Sequence, residues 1–114
     1  MNTAIIGAGL MCKRRAPVLL ESSDSNLKVI ASKCFSDAKE MANKFGCEAV
    51  ESWEEVISRK DIDAVIVCTP PHVHAQISIA AMKSGKHVLC EKPLTKNLAD
   101  SEEMVNVAIK TGLI

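Results

Sequence analysis

Residues 3–12 have the sequence TAIIGAGLMC, a short apolar run that leads directly into a glycine-rich turn. The turn matches G-x-G-x-x-G at Gly7 and Gly9 and has Cys12, a small residue, in place of the third glycine. In such a turn the first glycine permits a tight bend, and the second lets the backbone approach a pyrophosphate. A helix beginning near residue 10 would add free N–H groups and the positive end of its dipole. Ordinary strand-to-helix turns share this pattern, but its position after a first strand favours a dinucleotide-binding loop, with contacts predicted at Gly7, Gly9, Leu10 and Met11.

Short apolar runs alternate with helical patterns along the whole chain. Strands are predicted at 3–6, 27–32, 64–68 and 86–90, with a weaker one at 48–50, and helices at 10–22, 36–45, 53–59, 73–84 and 98–111. Three of these helices should end at Gly46, Gly85 and Gly112. Because the strands are continuously apolar, we expect a parallel sheet covered by helices on both faces. The prediction is a doubly wound, Rossmann-like α/β domain over residues 1–114, cut near the start of a sixth strand at Leu113-Ile114.

Composition limits the classes of partner. The 114 residues suffice for one core and are too few for a second, substrate-binding domain. The chain has 14 basic and 14 acidic residues, so its charge predicts neither a nucleic-acid nor a membrane partner, and we predict no metal site. Its five cysteines form no C-x-x-C pair, which is typical of packed, reduced thiols. With no leader-like or membrane-length apolar segment, a cytoplasmic location is predicted.

The end of the second strand bears on the choice of cofactor. Domains that bind NAD usually carry an acidic residue there, which contacts the ribose hydroxyl. This chain has Ser32 and Lys33 instead, a hydroxyl and a cation that suit the extra phosphate of NADP. We therefore expect NADP rather than NAD, with the alternative that Lys33 only points into water. The basic run Lys13-Arg14-Arg15 is equally compatible with phosphate contact and with a solvated surface.

Polar residues also follow the fourth and fifth strands. The sequence CTPPHVH at 68–74 stops one strand with two prolines, and residues 85–93 read GKHVLCEKP. We predict that Val88, Leu89 and Cys90 form a buried strand and that Pro93 ends the sheet. Glu91 and Lys92 should then lie at the carboxyl edge, where open parallel sheets bind ligands.

These motifs together resemble the glucose-fructose oxidoreductase and inositol dehydrogenase family, Gfo/Idh/MocA. The glycine loop, Thr69-Pro70 with His74, the GKHV sequence at 85–88 and Glu91-Lys92-Pro93 occur in the family's order over essentially the whole chain. The resemblance implies a dinucleotide-binding domain, followed in relatives by a larger α/β domain that holds substrate and often mediates oligomers. That second domain is not within the 114 residues.

The resemblance also implies roles for particular residues. Relatives typically move hydride between a nicotinamide and a hydroxyl or carbonyl carbon of a sugar, inositol or related small molecule. Lys92 would contact this substrate and the cofactor and assist proton transfer, because alcohol oxidation releases a hydroxyl proton as hydride leaves. Glu91 would hold the nicotinamide ribose. Thr69, Pro70 and His74 would line the nicotinamide end of the cofactor.

Two departures and one alternative accompany the resemblance. Pro71 stands where the family commonly has an asparagine, which removes a hydrogen-bonding side chain, and Cys12 alters the pyrophosphate turn. We expect the chain to bind nucleotide without turnover, since it lacks walls that orient a substrate.

The alternative is a non-catalytic dinucleotide-binding or subunit-interaction module. An open sheet edge with an uncovered apolar face would promote association, including homo-oligomers.

Overall fold

A computed structural model describes residues 1–114 as five strands alternating with five helices. The strands are β1 (Asn2–Ile6), β2 (Asn26–Ala31), β3 (Glu48–Val50), β4 (Ala64–Val67) and β5 (His87–Cys90). The helices are α1 (Leu10–Glu21), α2 (Phe35–Phe45), α3 (Trp53–Ser58), α4 (His74–Lys83) and α5 (Leu98–Thr111). A short 3-10 helix at Pro71–Val73 leads into α4. The five predicted helices and the five complete predicted strands are present, and none of the helices is long and apolar enough to cross a membrane.

The strands form one parallel sheet in the order β3-β2-β1-β4-β5. The chain moves outward from β1 to β3 and then crosses back to β4 on the other side of β1. The connections therefore run in opposite directions on the two sides of the gap between β1 and β4. This gap is the topological switch point, and its carboxyl end is where such sheets bind ligands. The predicted doubly wound fold is confirmed.

Alternate residues of the central strands supply two separate cores. On one face Ile5 and Ile30 are fully buried, and they pack with Cys12 and Ala16 of α1. On the other face the neighbouring strand residues pack against α3 and α4. Each fully buried isoleucine contributes about 1.5–3 kcal/mol, so the two faces together fix the register of the sheet.

The strand β5 is less buried than predicted. Val88 and Cys90 pack against the α3 and α4 face, but the Leu89 side chain is 48% exposed, so the prediction of a buried residue there is wrong. Leu89 is in register with Ile66 and shares its face of the sheet. On that face α1 and α2 pack mainly over β1, β2 and β3 and leave β5 uncovered.

The chain end lies beside the outer edge of β5. The N–H of Val88 donates to the carbonyl oxygen of Ile114 at 2.8 Å, and the N–H of Ile114 donates to Nδ1 of His87 at 3.2 Å. Leu113 and Ile114, predicted to open a sixth strand, are not a strand in the structure. Ile114 is held to β5 by one backbone hydrogen bond and by one bond to the His87 ring.

The five cysteines are all free thiols. Cys12 is buried and Cys34 is exposed, and the others are half-buried. Burial raises the pKa of the Cys12 thiol to about 11, and burial together with the nearby Glu91 carboxylate raises that of Cys68 to about 12. Both thiols therefore stay protonated at neutral pH and behave as packing groups.

Candidate functional site

Backbone hydrogen bonds bring the ends of the central strands together at one edge of the sheet. The N–H of Gly7 donates to the carbonyl of Ala31, the last residue of β2, at 2.8 Å. The N–H of Cys68 donates to the last carbonyl of β1 at 2.7 Å, and that of Glu91 to the last carbonyl of β4 at 3.0 Å. The glycine loop, the segment after β4 and the start of the EKP sequence therefore lie side by side.

A cleft of about 880 Å³ opens at this edge. Its walls are the loop after β1, the end of β2, the start of α3 and the segment after β4. Six of the residues predicted to bind cofactor line it: Gly7, Gly9, Ser32, Lys33, Thr69 and Pro70. The other predicted residues lie outside its walls: Leu10, Met11, His74, Glu91 and Lys92. Trp53, the first residue of α3, also lines the cleft, and the sequence did not identify it as a site residue.

The two loop glycines meet different requirements. Gly7 has φ +108°, and a Cβ added there would lie 2.6 Å from the carbonyl oxygen of Cys68, so a side chain is excluded by both conformation and space. Gly9 has φ −82°, and a Cβ there would meet nothing within 4 Å. Its hydrogens face open space, which leaves the backbone accessible to a ligand.

The start of α1 is free to bind an anion. Gly9 is its N-cap and offers no side-chain hydrogen bond, so the first N–H groups of the helix, including those of Leu10 and Met11, lack intrahelical partners. One turn into the helix, Cys12 is fully buried among Ile5 and Ala16. Cysteine therefore fills the position of the third glycine without moving the helix from the sheet.

Thr69 presents an unpaired polar atom at the switch point. Its hydroxyl oxygen is buried and has no hydrogen-bond partner in the protein. Buried polar groups are nearly always paired, so an orphan inside a cleft indicates a place for a polar ligand atom. Together with the open loop at Gly9, this hydroxyl fits a dinucleotide that crosses the edge between β1 and β4.

Ser32 and Lys33 lie in the cleft at the end of β2, as predicted. Lys33 is exposed and pairs with no acidic side chain. The Ser32 hydroxyl accepts a hydrogen bond from the N–H of Cys34 at 3.3 Å and keeps its own hydrogen free to donate. The acidic residues Glu51 and Glu54 line the neighbouring wall, so Lys33 is the cation that offsets them for an anionic ligand.

The Glu91 carboxylate is bound by Arg15 of α1, a contact that the sequence did not identify. The Arg15 Nε donates to Glu91 at 2.5 Å, with the two side chains 42% and 8% exposed. The hydrogen bond and charge of Arg15 hold the pKa of Glu91 below its ordinary value. A weak signal was available, because Arg15 follows the buried Cys12 by one helical turn and so faces the sheet.

Lys92 and His74 lie farther along the same edge. Lys92 is exposed directly after Glu91, with a cis peptide bond to Pro93. His74 is 1% exposed, and both its ring nitrogens face backbone carbonyls, so its predicted contact with the cofactor stays a prediction. His72 is exposed and lines the cleft.

A second cleft, of about 560 Å³, lies at the opposite, amino edge and contains no predicted site residue. Three of its four Lys, Arg and Asp side chains already have partners. The Lys86 ammonium donates to the carbonyls of Arg59 and Ile62 at 2.6 and 3.1 Å, and Arg59 pairs with two carboxylates. These groups hold the loop before β4 to β5, and the carboxyl edge is therefore the candidate site.

The chain is similar to known oxidoreductases. The model of an oxidoreductase family with an NAD-binding Rossmann fold matches residues 1–114. The chain is 36% identical over 107 residues to a dTDP-3,4-didehydro-2,6-dideoxy-alpha-D-glucose 3-reductase of Streptomyces violaceoruber, covering 94% of this chain and 31% of that protein. It is also 36% identical over 115 residues to a myo-inositol 2-dehydrogenase of Thermotoga maritima, covering 100% of this chain and 34% of that protein.

A solved structure has the same fold. KijD10, a 3-ketoreductase from Actinomadura kijaniata in complex with NADP and TDP-benzene, superposes with a TM-score of 0.94 at 35% identity. The match covers 100% of this chain and 35% of KijD10. The chain thus spans about a third of the length of these relatives.

Proposed function

Because this chain belongs to the Gfo/Idh/MocA family of oxidoreductases with an NAD-binding Rossmann fold, we propose that it binds NADP at the carboxyl edge of its sheet. It would serve as the dinucleotide-binding part of an enzyme that moves hydride to or from a hydroxyl or carbonyl carbon of a sugar, inositol or related small molecule. Its relatives include a sugar 3-reductase and an inositol dehydrogenase, which supports this substrate class.

The observation that carries the proposal is the open cradle between β1 and β4. Gly9 leaves space above the loop, the start of α1 is uncapped, and the buried Thr69 hydroxyl has no partner. A pyrophosphate on the helix N-terminus accepts hydrogen bonds from free N–H groups and is favoured by the helix dipole. The Thr69 hydroxyl would then bond the cofactor on the nicotinamide side of the pyrophosphate.

The choice of NADP rests on Ser32 and Lys33. Lys33 supplies a cation where a ribose phosphate would lie, and the Ser32 hydroxyl can donate to the same phosphate. No acidic residue ends β2, so no carboxylate stands where the ribose phosphate would lie. Glu51 and Glu54 line the neighbouring wall, and Lys33 offsets their charge. The presence of NADP in the KijD10 complex supports the choice.

Lys92 is the residue we assign to proton transfer. The bound nicotinamide supplies or accepts the hydride when it is present. Lys92 stands exposed on the same edge, beside the end of β4, and would exchange the proton of the substrate hydroxyl. Glu91, which precedes Lys92 in the chain, would contact the nicotinamide ribose. Arg15 holds the Glu91 carboxylate in place.

Calorimetric titration of the purified chain with NADPH and NADH tests the cofactor assignment. We expect NADPH to bind more tightly, and Lys33→Ala to weaken NADPH binding by roughly 10- to 100-fold, the value of a charge-assisted hydrogen bond. NADH binding should change little, because it lacks the ribose phosphate. Lys110→Ala, which removes an exposed cation from α5, is the matched control and should bind both ligands as the parent does. Tighter binding of NADH than NADPH by the parent would refute the assignment.

A second candidate function is association with another subunit, and the uncovered face of β5 favours it. Leu89 is 48% exposed in the sheet, and Val105 and Ile109 of α5 are 51% and 74% exposed. Apolar side chains at a sheet edge promote self-association. We propose a homo-oligomer that buries Leu89 and is compatible with cofactor binding on the same chain.

A further inference from the structure

His74 connects the two loops that follow β4 and β5. Its Nε2 lies 2.7 Å from the carbonyl oxygen of Thr69, the residue with the orphan hydroxyl. Its Nδ1 lies 3.0 Å from the carbonyl oxygen of Pro93 and 3.2 Å from that of Leu94. The ring is 1% exposed, so water cannot replace any of these contacts.

The three contacts define how the ring must be protonated. A carbonyl oxygen only accepts hydrogen bonds, so each ring nitrogen has to donate. A neutral imidazole carries one N–H and would leave the other nitrogen's lone pair against an oxygen. The doubly protonated ring satisfies all three carbonyls at hydrogen-bond distance.

Two effects oppose a positive charge at this position. Burial removes the ring from water, which disfavours its charged form, and its hydrogen-bond partners are neutral carbonyls rather than carboxylates. His74 is the first residue of α4, and the start of a helix disfavours a cation. The three carbonyl oxygens favour the charged ring. They lie at hydrogen-bond distance from its two nitrogens, whereas the helix end acts only through distributed partial charges. Hydrogen bonds to a charged donor are also stronger than neutral ones, and three carbonyl oxygens take the place of the water that burial removes, so the contacts outweigh both effects.

We propose that His74 is a positioning residue, a doubly protonated imidazole that donates from both nitrogens and holds the loop after β4 and the loop after β5 at a fixed separation. The first loop carries Thr69, and the second begins with Glu91 and Lys92. The clamp therefore sets the spacing between the hydroxyl and the ammonium that would flank the nicotinamide half of the dinucleotide. The effect on the dinucleotide site rests on the proposed function. The double protonation of the ring does not.

Nitrogen NMR of the histidine-labelled parent chain tests the ring directly. At neutral pH, both ring nitrogens of His74 should show directly bonded hydrogens that exchange slowly with water. The chain has 3 histidines, and the exposed His72 provides an internal reference for rapid exchange. A single N–H on the His74 ring would overturn the clamp. Because the parent chain is used, the measurement does not depend on a variant that folds.

A binding comparison tests the positioning role. NADPH is compared with the adenosine bisphosphate fragment, which carries the ribose phosphate but no nicotinamide. The parent should bind NADPH at least roughly tenfold more tightly than the fragment, and His74→Gln should remove that advantage while leaving fragment affinity unchanged. His87→Gln, at the amino edge of the sheet, is the matched control and should retain the advantage.

Other outcomes would overturn the positioning role. Equal losses for both ligands would mean a general structural role, and equal affinity of the parent for both ligands would mean that the loops do not recognise the nicotinamide half. If the parent binds neither ligand, the proposed cofactor site fails, and the ring measurement alone decides the clamp.

Discussion

At the carboxyl end of β1, Gly7 and Gly9 are only two positions apart, yet adding a side chain would have a different effect at each. At Gly7 the backbone is in a region that side chains disfavour, and the Cys68 carbonyl occupies the space of a Cβ. At Gly9 the conformation is ordinary and the space is open. The first glycine therefore meets a requirement of the fold, and we propose that the second keeps the loop open to a ligand.

This contrast predicts opposite outcomes for two alanine substitutions. Gly7→Ala should lower the free energy of unfolding by at least about 1–2 kcal/mol, from its positive φ alone, and by more through the contact with Cys68. Gly9→Ala should change it by less than about 0.5 kcal/mol but weaken NADPH binding roughly tenfold or more, because its Cβ projects towards the pyrophosphate. Urea denaturation and calorimetry measure the two effects. Unchanged NADPH affinity in Gly9→Ala would contradict the assignment of the loop.

At the scale of elements, the sequence predicted which segments fold but not every contact between them. Helices and strands followed from local periodicity and glycine caps. The Arg15 contact with Glu91 joins the start of the chain to the end of β5, so it depends on the strand order and not on local pattern. The exposure of Leu89 likewise depends on which strands α1 covers.

The Arg15–Glu91 pair predicts a specific dependence of stability on pH. The folded-state pKa of Glu91 is lowered by Arg15, so the pair stabilises the fold above the ordinary glutamate pKa of about 4.3. This contribution is lost as the pH falls through the lowered folded-state value. Glu91→Gln should therefore reduce the free energy of unfolding at pH 7, and the difference from the parent should shrink progressively below about pH 4.

Urea denaturation across this pH range measures the effect, which should be small because the half-exposed Arg15 is screened by water. Glu102→Gln, at an exposed position of α5, is the matched control and should show no such trend. An undiminished difference between Glu91→Gln and the parent at pH 3 would show that the ion pair is not its source.

At the scale of the whole molecule, the sequence predicted a doubly wound sheet with its ligand edge because motif residues followed several strand ends. Gly7, Thr69 and Glu91 are far apart in sequence and meet only because β4 lies between β1 and β5. The His74 contacts with two loops could not be predicted, since they require the path of the chain after Pro93. The motif residues therefore located the edge, and the topology determined which of them line the cleft.

The uncovered face of β5 predicts self-association. Light scattering over a range of concentrations should show a reversible oligomer, and Leu89→Lys should shift the chain towards monomer by placing a charge in the apolar contact. Leu20→Lys, at a residue of α1 that is 51% exposed, is the matched control and should associate as the parent does. A parent chain that stays monomeric at every concentration, with and without NADPH, would rule out this mode of association.

We propose that the carboxyl edge of the sheet, and not the cleft at the amino edge, holds the dinucleotide. Amide chemical-shift mapping of the labelled chain during titration with NADPH tests it most directly. We predict saturable shifts at Gly7, Gly9, Lys33 and Thr69, with little change at Lys86 on the opposite edge. Shifts concentrated around Lys86, or none at the glycine loop at saturating NADPH, would contradict the account.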